Sequence, residues 1–252
     1  MKIRTQRGVT LVELMVSLTI GLFLVGGLLT LLGAMKSTNS SQSALSQVQD
    51  SERIALTIMT DVIQQAGFYV NPVINSQAGS FPVIAGTFAT AGQYIYGTGT
   101  GTAAAPGDTI TVRYNTAGGD GILNCLGGAS TVAATFINTF SVTAGNLQCQ
   151  LSTVVSGTTT VTAATTIVTG VTSLNIYYGL QTNAGSGTTS ADTYLDATNV
   201  TAGGYWTNVK SVQVQLSFTN PLYGLPGQSA AAKATIPLTR VIALMATAGV
   251  NT

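Results

Sequence analysis

The sequence predicts an α+β protein in which one long N-terminal helix packs on a mostly antiparallel β-sheet head. Three observations predict it. Residues 14–35 carry no charge. Residues 45–66 continue with apolar side chains at helical spacing. Beyond Gly67 the apolar period changes to two, the spacing of strands with one buried face.

The uncharged run is 22 residues long. As a helix it spans about 33 Å, enough to cross the hydrocarbon core of a bilayer. Lys2, Arg4 and Arg7 precede it, and only Lys36 follows closely. The positive-inside rule therefore predicts a cytoplasmic N-terminus with the bulk of the chain outside. A secretory signal peptide has a shorter apolar core, cut on its far side at small residues. Leu32-Gly33-Ala34 offers such a site, but the run is too long. A plain membrane anchor fits the length and leaves Glu13 without a purpose.

Glu13 stands at the mouth of the run, in Arg7-Gly8-Val9-Thr10-Leu11-Val12-Glu13-Leu14. An ionisable group costs about 2.5–3.5 kcal/mol at mid-bilayer and less near an end, so a partner is to be sought. Cleavage after Gly8 would supply one, the new α-amino group of Val9. Glu13 of one subunit can pair with that amine on the next. The helix dipole also favours an anion in the first turn. The bland reading is a carboxylate that reaches the membrane interface.

The helical stripe continues through Leu45, Val48, Ala55, Met59, Val62 and Ala66, widened by Leu56 and Ile63. This is an amphipathic pattern. Gly67 is a suitable stop, and Asn71-Pro72 follows it. A continuous helix over residues 9–66 would be about 87 Å long. Its apolar part holds Gly21, Gly26, Gly27 and Gly33, which permit close helix packing in membranes.

In the head, Ile110, Val112 and Tyr114 alternate with Thr109, Thr111 and Arg113. Leu174, Ile176 and Tyr178 repeat the pattern. Val212, Val214, Leu216 and Phe218 alternate with Ser211, Gln213, Gln215 and Ser217. Half-buried antiparallel strands have this period. Residues 132–142, 158–168 and 234–244 are further candidates. Pro237 makes the last an edge strand or a late start. Turn-rich stretches at 97–107, 118–121, 183–190 and 220–227 separate them. The expected division is residues 1–8 as a leader, 9–66 as helix with 14–35 in the membrane, and 67–252 as the head.

Composition narrows the function. Nine basic and eight acidic residues amount to 7% of 252. Removing residues 1–8 leaves six basic residues against eight acids, a net of −2. Arg113, Lys210, Lys233 and Arg240 are scattered, which argues against a nucleic-acid partner. Histidine is absent, and no serine elbow or HExxH pattern occurs, so no catalytic residue is expected. Gly97-Thr98-Gly99-Thr100-Gly101 has neither the lysine nor the following helix of a phosphate loop and reads as a flexible loop. Tyr94, Tyr96, Tyr177, Tyr178 and Trp206 read as core and strand residues.

No cofactor or metal is expected. Two thiols without histidine are too few for zinc. Asp192, Asp196 and Asn199 offer oxygens for calcium, but turn and cap roles suit their spacing better. Cys125 and Cys149 form a disulfide if both lie outside the cytoplasm. Two free buried thiols are the alternative.

The segment from Arg7 to Met15 resembles the prepilin motif of type IV pilins and type II secretion pseudopilins. The resemblance implies that a membrane peptidase cuts after Gly8 and that Val9 is methylated. The usual first mature residue of that family is Phe; here it is Val9. In similar pilins the helix unwinds locally within the filament, a role that Gly26-Gly27 would take here. The helix exit Ala66-Gly67-Phe68 resembles that of PilW-type minor pilins. So do the stretches from Thr169 to Gly179, from Asp192 to Ala197 and from Trp206 to Val214. The family often has an acidic loop where residues 181–191 stand, and here that loop has no acid, which argues against calcium there.

The resemblance implies a Gram-negative minor pilin, held in the inner membrane with a periplasmic head before assembly and then carried to the surface in a pilus. Its partners would be other major and minor pilins and the prepilin peptidase, with a place in a priming or tip complex. The alternatives are a type II secretion pseudopilin and an adhesin or DNA-uptake pilin.

Overall fold

A computed structural model of the chain describes residue 8 and residues 10–102, 107–182, 190–225 and 233–245. The leader residues 1–7, Val9, Ala103–Pro106, the greater part of the 181–191 stretch and the last two residues of the 220–227 stretch lie outside these residues. The chain divides between Gln47 and Val48 into two units.

The first unit is helical from Leu11 onward, the opening part of α1 (Leu11–Gln64). Its apolar side chains point outward on every side: Leu11, Leu18, Phe23 and Leu29 are all more than half exposed. A helix apolar all round needs a non-aqueous or proteinaceous surrounding. Its most apolar 18-residue window has a mean hydropathy of 2.3. Ser17, Thr19, Thr30 and Thr38 return their hydroxyls to helix carbonyls three or four residues back. This satisfies their donors without water. The helix runs unbroken through Gly26 and Gly27.

The second unit begins with the last turns of α1. Ala55, Met59, Val62, Ile63 and Ala66 are buried, as the stripe predicts, with Val48 and Leu56 packed at the edge. The chain leaves the helix at Gly67, whose φ of +81° is a left-handed stop. Its N–H donates to the Arg113 carbonyl, fixing the exit against a strand.

Among the described residues the head has two antiparallel sheets where the sequence suggested one. The six-stranded sheet runs β1 (Ile95–Thr98), β2 (Thr109–Thr116), β3 (Ala134–Thr143) and β4 (Asn146–Val155). Both β5 (Thr158–Val161) and β6 (Thr165–Thr169) pair with β4. The four-stranded sheet combines β7 (Val171–Leu180), β8 (Thr193–Leu195), β9 (Val209–Thr219) and β10 (Thr235–Ala243) in the order β10-β9-β7-β8. β10 is an edge strand, as Pro237 requires. A short helix, α2 (Gln77–Ser80), lies between α1 and the sheets, and α3 (Ala197–Gly203) between β8 and β9.

Three expectations are corrected. The strand predicted over 158–168 is two strands. Thr162 breaks it by turning its N–H and hydroxyl to the Leu151 carbonyl. The alternating polar face of β2 is not solvated: Thr111 and Arg113 are buried, Arg113 beneath residues 81–94, to whose carbonyls its guanidinium donates. The loop at 97–107 begins within β1 and is tied down. The Gly99 carbonyl accepts from the Thr198 N–H and hydroxyl, and the Gly101 carbonyl from the Tyr177 hydroxyl.

One core joins both sheets and α1. It contains Ile110 and Tyr114 of β2, Phe136 and Phe140 of β3, Ile176 and Tyr178 of β7, and Val212 to Phe218 on alternate positions of β9. Asp108 stitches the sheets together. Its N–H donates to the Leu174 carbonyl at 2.6 Å, and its carboxylate accepts from Ile176 N–H at 2.8 Å and Gly101 N–H at 3.2 Å. Burial pushes its pKa up while these donors pull it down. The preceding Gly107 has φ +92°, and a Cβ there would stand 2.2 Å from the Leu174 carbonyl oxygen. Only glycine lets the two strands approach so closely.

Candidate functional site

The candidate site is the head of α1. Gly8 is exposed, with no atom of the protein within 4 Å of where a Cβ would stand. Val9, the other half of the expected cleavage pair and the expected methylation site, lies outside the described residues. Two residues further, Thr10 caps the helix. Its carbonyl accepts from Leu14 N–H at 3.2 Å, and its hydroxyl lies 3.4 Å from Glu13 N–H. Glu13 occupies the third helical position, exposed, in the first turn.

Thr10 is a residue that the sequence reading missed. The signal was present: Thr10-Leu11-Val12-Glu13 has the spacing of a capping box, with the hydroxyl residue three positions before the acid. The cap fixes where the helix begins and so sets Glu13 in its first turn. The dipole of α1 and the open N–H groups of its first turn place positive potential around the carboxylate.

The head contributes a second set of predicted residues. Cys125, in the loop between β2 and β3, is joined to Cys149 of β4, with 6.4 Å between their Cα atoms. Both are buried. Asn138 of β3 accepts the Cys125 N–H at 2.9 Å, and the Tyr114 hydroxyl donates to the Leu123 carbonyl at 2.7 Å. The loop is thus held at three points. Asp196 caps α3 through the Asn199 N–H and receives the Asn199 side-chain amide, while Asp192 accepts from the N–H and hydroxyl of Thr182. These are the turn and cap roles expected of them. The aromatics are packed in the core: the Trp206 ring lies 4.8 Å from Tyr178 and 5.3 Å from Tyr96.

Comparison with known proteins bears on both ends of the chain. Residues 3–29 match the family model of the prokaryotic N-terminal methylation motif. Residues 135–238 match that of Type IV Pilus-assembly protein W. No curated protein sequence matches the chain. Among solved structures, it is similar to a type IV-like pilin, TTHA1219, from Thermus thermophilus. The identity is 11%, the TM-score is 0.42, and the match covers 80% of this chain and 97% of that one. It is also similar to a chain of the GspK-GspI-GspJ complex of the type 2 secretion system from enterotoxigenic Escherichia coli. There the identity is 13%, the TM-score is 0.40, and the coverage is 78% and 96%. Likenesses this distant carry no argument about function.

A methylation motif over the start of an apolar helix defines the type IV pilin-like class. Together with the match from β3 to β10, it supports the reading of the chain as a type IV minor pilin of the PilW type. The two matches support the structural role of a minor pilin.

Proposed function

We propose that the chain is a minor subunit of a type IV pilus that acts in pilus assembly, within a priming or tip complex. It enters the inner membrane with its N-terminus in the cytoplasm and its head in the periplasm. Prepilin peptidase cuts between Gly8 and Val9, and Val9 is then methylated. The subunit leaves the bilayer for the filament and reaches the cell surface there.

One observation carries this reading. An exposed glycine, a capped helix start and a carboxylate in the first turn stand together at the head of a long uncharged helix. An anchor needs only the apolar length. A carboxylate at that position is explained when a cation meets it, and cleavage creates one at Val9. In an apolar filament core, removing one member of such a pair strands the other charge, a cost of about 3–5 kcal/mol. The PilW-type match over the head favours a pilus over a secretion filament.

Glu13→Ala tests the role of the carboxylate. The variant is cut at Gly8–Val9 as well as the parent, because the cleavage point is untouched. Its level in sheared filaments, relative to its level in the membrane, falls by tenfold or more. Undiminished incorporation would leave Glu13 without an assembly role.

A further inference from the structure

Among the described residues, the sheets of the head end in several strand edges, and all but one of these is guarded. A bare edge offers unpaired N–H and C=O groups to any other extended chain, and charges, prolines, bulges or burial prevent this. β10 contains Pro237 and the exposed Arg240. β8 stands between Asp192 and Asp196. β6 has a register irregularity against β4, between Leu147 and Gln148. β1 is sunk into the head, with Ile95 and Gly97 buried. β5 has none of these guards. No charged residue and no proline occurs from Gly121 to Ala191. All four residues of β5 are exposed, Val161 by 58%. It ends the strand order β1-β2-β3-β4-β5, and no described residue hydrogen-bonds to its outer side.

Local geometry fixes which groups are free. The turn from β4 to β5 is Ser156-Gly157, with φ of +49° and +81°. A two-residue turn of this kind matches the twist of a hairpin and sets its register. Val155 faces Thr158, and Thr153 faces Thr160. Just beyond the strand, Thr162 donates its N–H to the Leu151 carbonyl. Residues whose backbone groups point at the partner strand alternate with residues whose groups point away. Thr158, Thr160 and Thr162 therefore turn to β4, and Thr159 and Val161 turn their N–H and C=O outward.

A second β5 suits this edge. Placed antiparallel and centred on Thr160, it sets Thr159 of each copy opposite Val161 of the other. Every outward N–H then meets an outward C=O, and β-branched side chains lie side by side. Self-pairing sets like beside like, so a charged edge repels its own copy. Arg240 sets β10 against such pairing, and Asp192 and Asp196 do the same for β8, whereas β5 meets no repulsion. So short a contact is too small for a stable dimer in free solution. Copies anchored in one membrane meet at a far higher effective concentration.

We propose that two copies of this chain pair edge to edge through β5, joining their six-stranded sheets into one across a twofold axis at Thr160. The proposal rests on the membrane anchoring in the reading above and not on its cleavage step.

The test uses the full chain in neutral-lipid liposomes at a low protein-to-lipid ratio, oxidised with copper phenanthroline. The two native cysteines are already joined, so one introduced thiol reports on the contact. In the proposed pair the two Thr160 positions face each other with Cα atoms about 4.5 Å apart, within disulfide reach. The two Thr158 positions are offset by four residues along the strands, about 14 Å. Thr158 and Thr160 share one face of β5 and both are exposed, so chance collision treats them alike. Thr160→Cys is expected to give about tenfold more disulfide-linked dimer than Thr158→Cys. Peptide mass spectrometry places the link between the introduced thiols. Adding Thr159→Pro removes an outward N–H and leaves the β4 ladder intact, and it should lower the Thr160→Cys dimer about fivefold. Trp206 fluorescence confirms that each variant is folded.

Equal dimer from the two thiol variants means collision alone and overturns the proposal. A dimer undiminished by Thr159→Pro overturns it, because the contact then does not use the edge. Absence of dimer from Thr160→Cys overturns it as well. If that thiol is instead joined to another polypeptide in the cell envelope, the edge belongs to a different chain's strand. None of these results touches cleavage at Gly8–Val9, which mass spectrometry of the N-terminus reads separately.

Discussion

Arg113 shows how far a single residue can depart from its local pattern. Alternation along β2 puts it on the face opposite Ile110, Val112 and Tyr114, which for an isolated sheet is the wet face. It is instead 1% exposed, and among the described residues no carboxylate forms an ion pair with it. Its guanidinium donates to the carbonyls of Gln93 and Pro82, each at 2.7 Å, and to that of Phe81 at 3.3 Å. The Phe88 ring lies 4.1 Å away and the Phe81 ring 5.2 Å. Burial lowers its pKa to about 10, still well above neutrality, so it remains a cation. The charge is stabilised by carbonyl dipoles and ring faces in place of a carboxylate. Its effect is to hold residues 81–94 over β2. Arg113→Met keeps much of the stem but removes every donor. It should lower stability by about 3 kcal/mol, since hydrogen bonds to a charged group are worth about 1.5–3 kcal/mol each. Urea unfolding of the full chain in nanodiscs, read through its only tryptophan, Trp206, measures this. A loss below about 1 kcal/mol would mean that the covering segment holds without Arg113.

At the scale of elements, legibility followed the range of the interactions. The amphipathic half of α1 could be read because its stripe repeats over several turns and faces one core. β9 could be read because each polar residue from Gln213 to Ser217 is half-exposed between buried neighbours. β4 carried the same signal in Leu147, Cys149 and Leu151, and it went unread beside the threonine-rich runs around it. The break between β5 and β6 has no local sign, since Thr162-Ala163-Ala164 contains neither glycine nor proline; a hydrogen bond to β4 makes it. The division into two sheets depends on Asp108 and Gly107, whose contacts lie 66 to 68 positions away in the chain. At the head of α1 the acid was legible and the cap was not, because the capping spacing lay inside a motif read for another purpose.

The disulfide belongs to this scale too. It pins the loop between β2 and β3 to β4. Closing a loop of this length removes about 3.5 kcal/mol of unfolded-state entropy on the chain-entropy relation. Replacing both cysteines by serine should lower stability by a similar amount in the same Trp206 assay, and reducing agent should do the same to the parent. A loss confined to the parent under reductant would point instead to a strained thiol pair.

At the scale of the whole molecule, the two units have opposite surfaces. The first presents apolar side chains in every direction and is stable only when lipid or other helices surround it. The second has its own core, two sheets and a disulfide. A chain of this kind has two environments to satisfy, a bilayer before assembly and a bundle of helices after it. The uncharged run satisfies both, and in the proposed function Glu13 distinguishes them: it is costly in lipid and would be stabilised beside a neighbour's new amine. Everything in this account depends on that amine being made. The direct measurement is to shear filaments from cells that express the chain and identify its N-terminal peptide by mass spectrometry, in the filaments and in the cell envelope. The account predicts a peptide that begins at methylated Val9 in the filaments. The same peptide confined to the envelope would favour a secretion pseudopilin, and an intact Met1-to-Gly8 leader on the assembled protein would contradict the account and leave a plain membrane anchor.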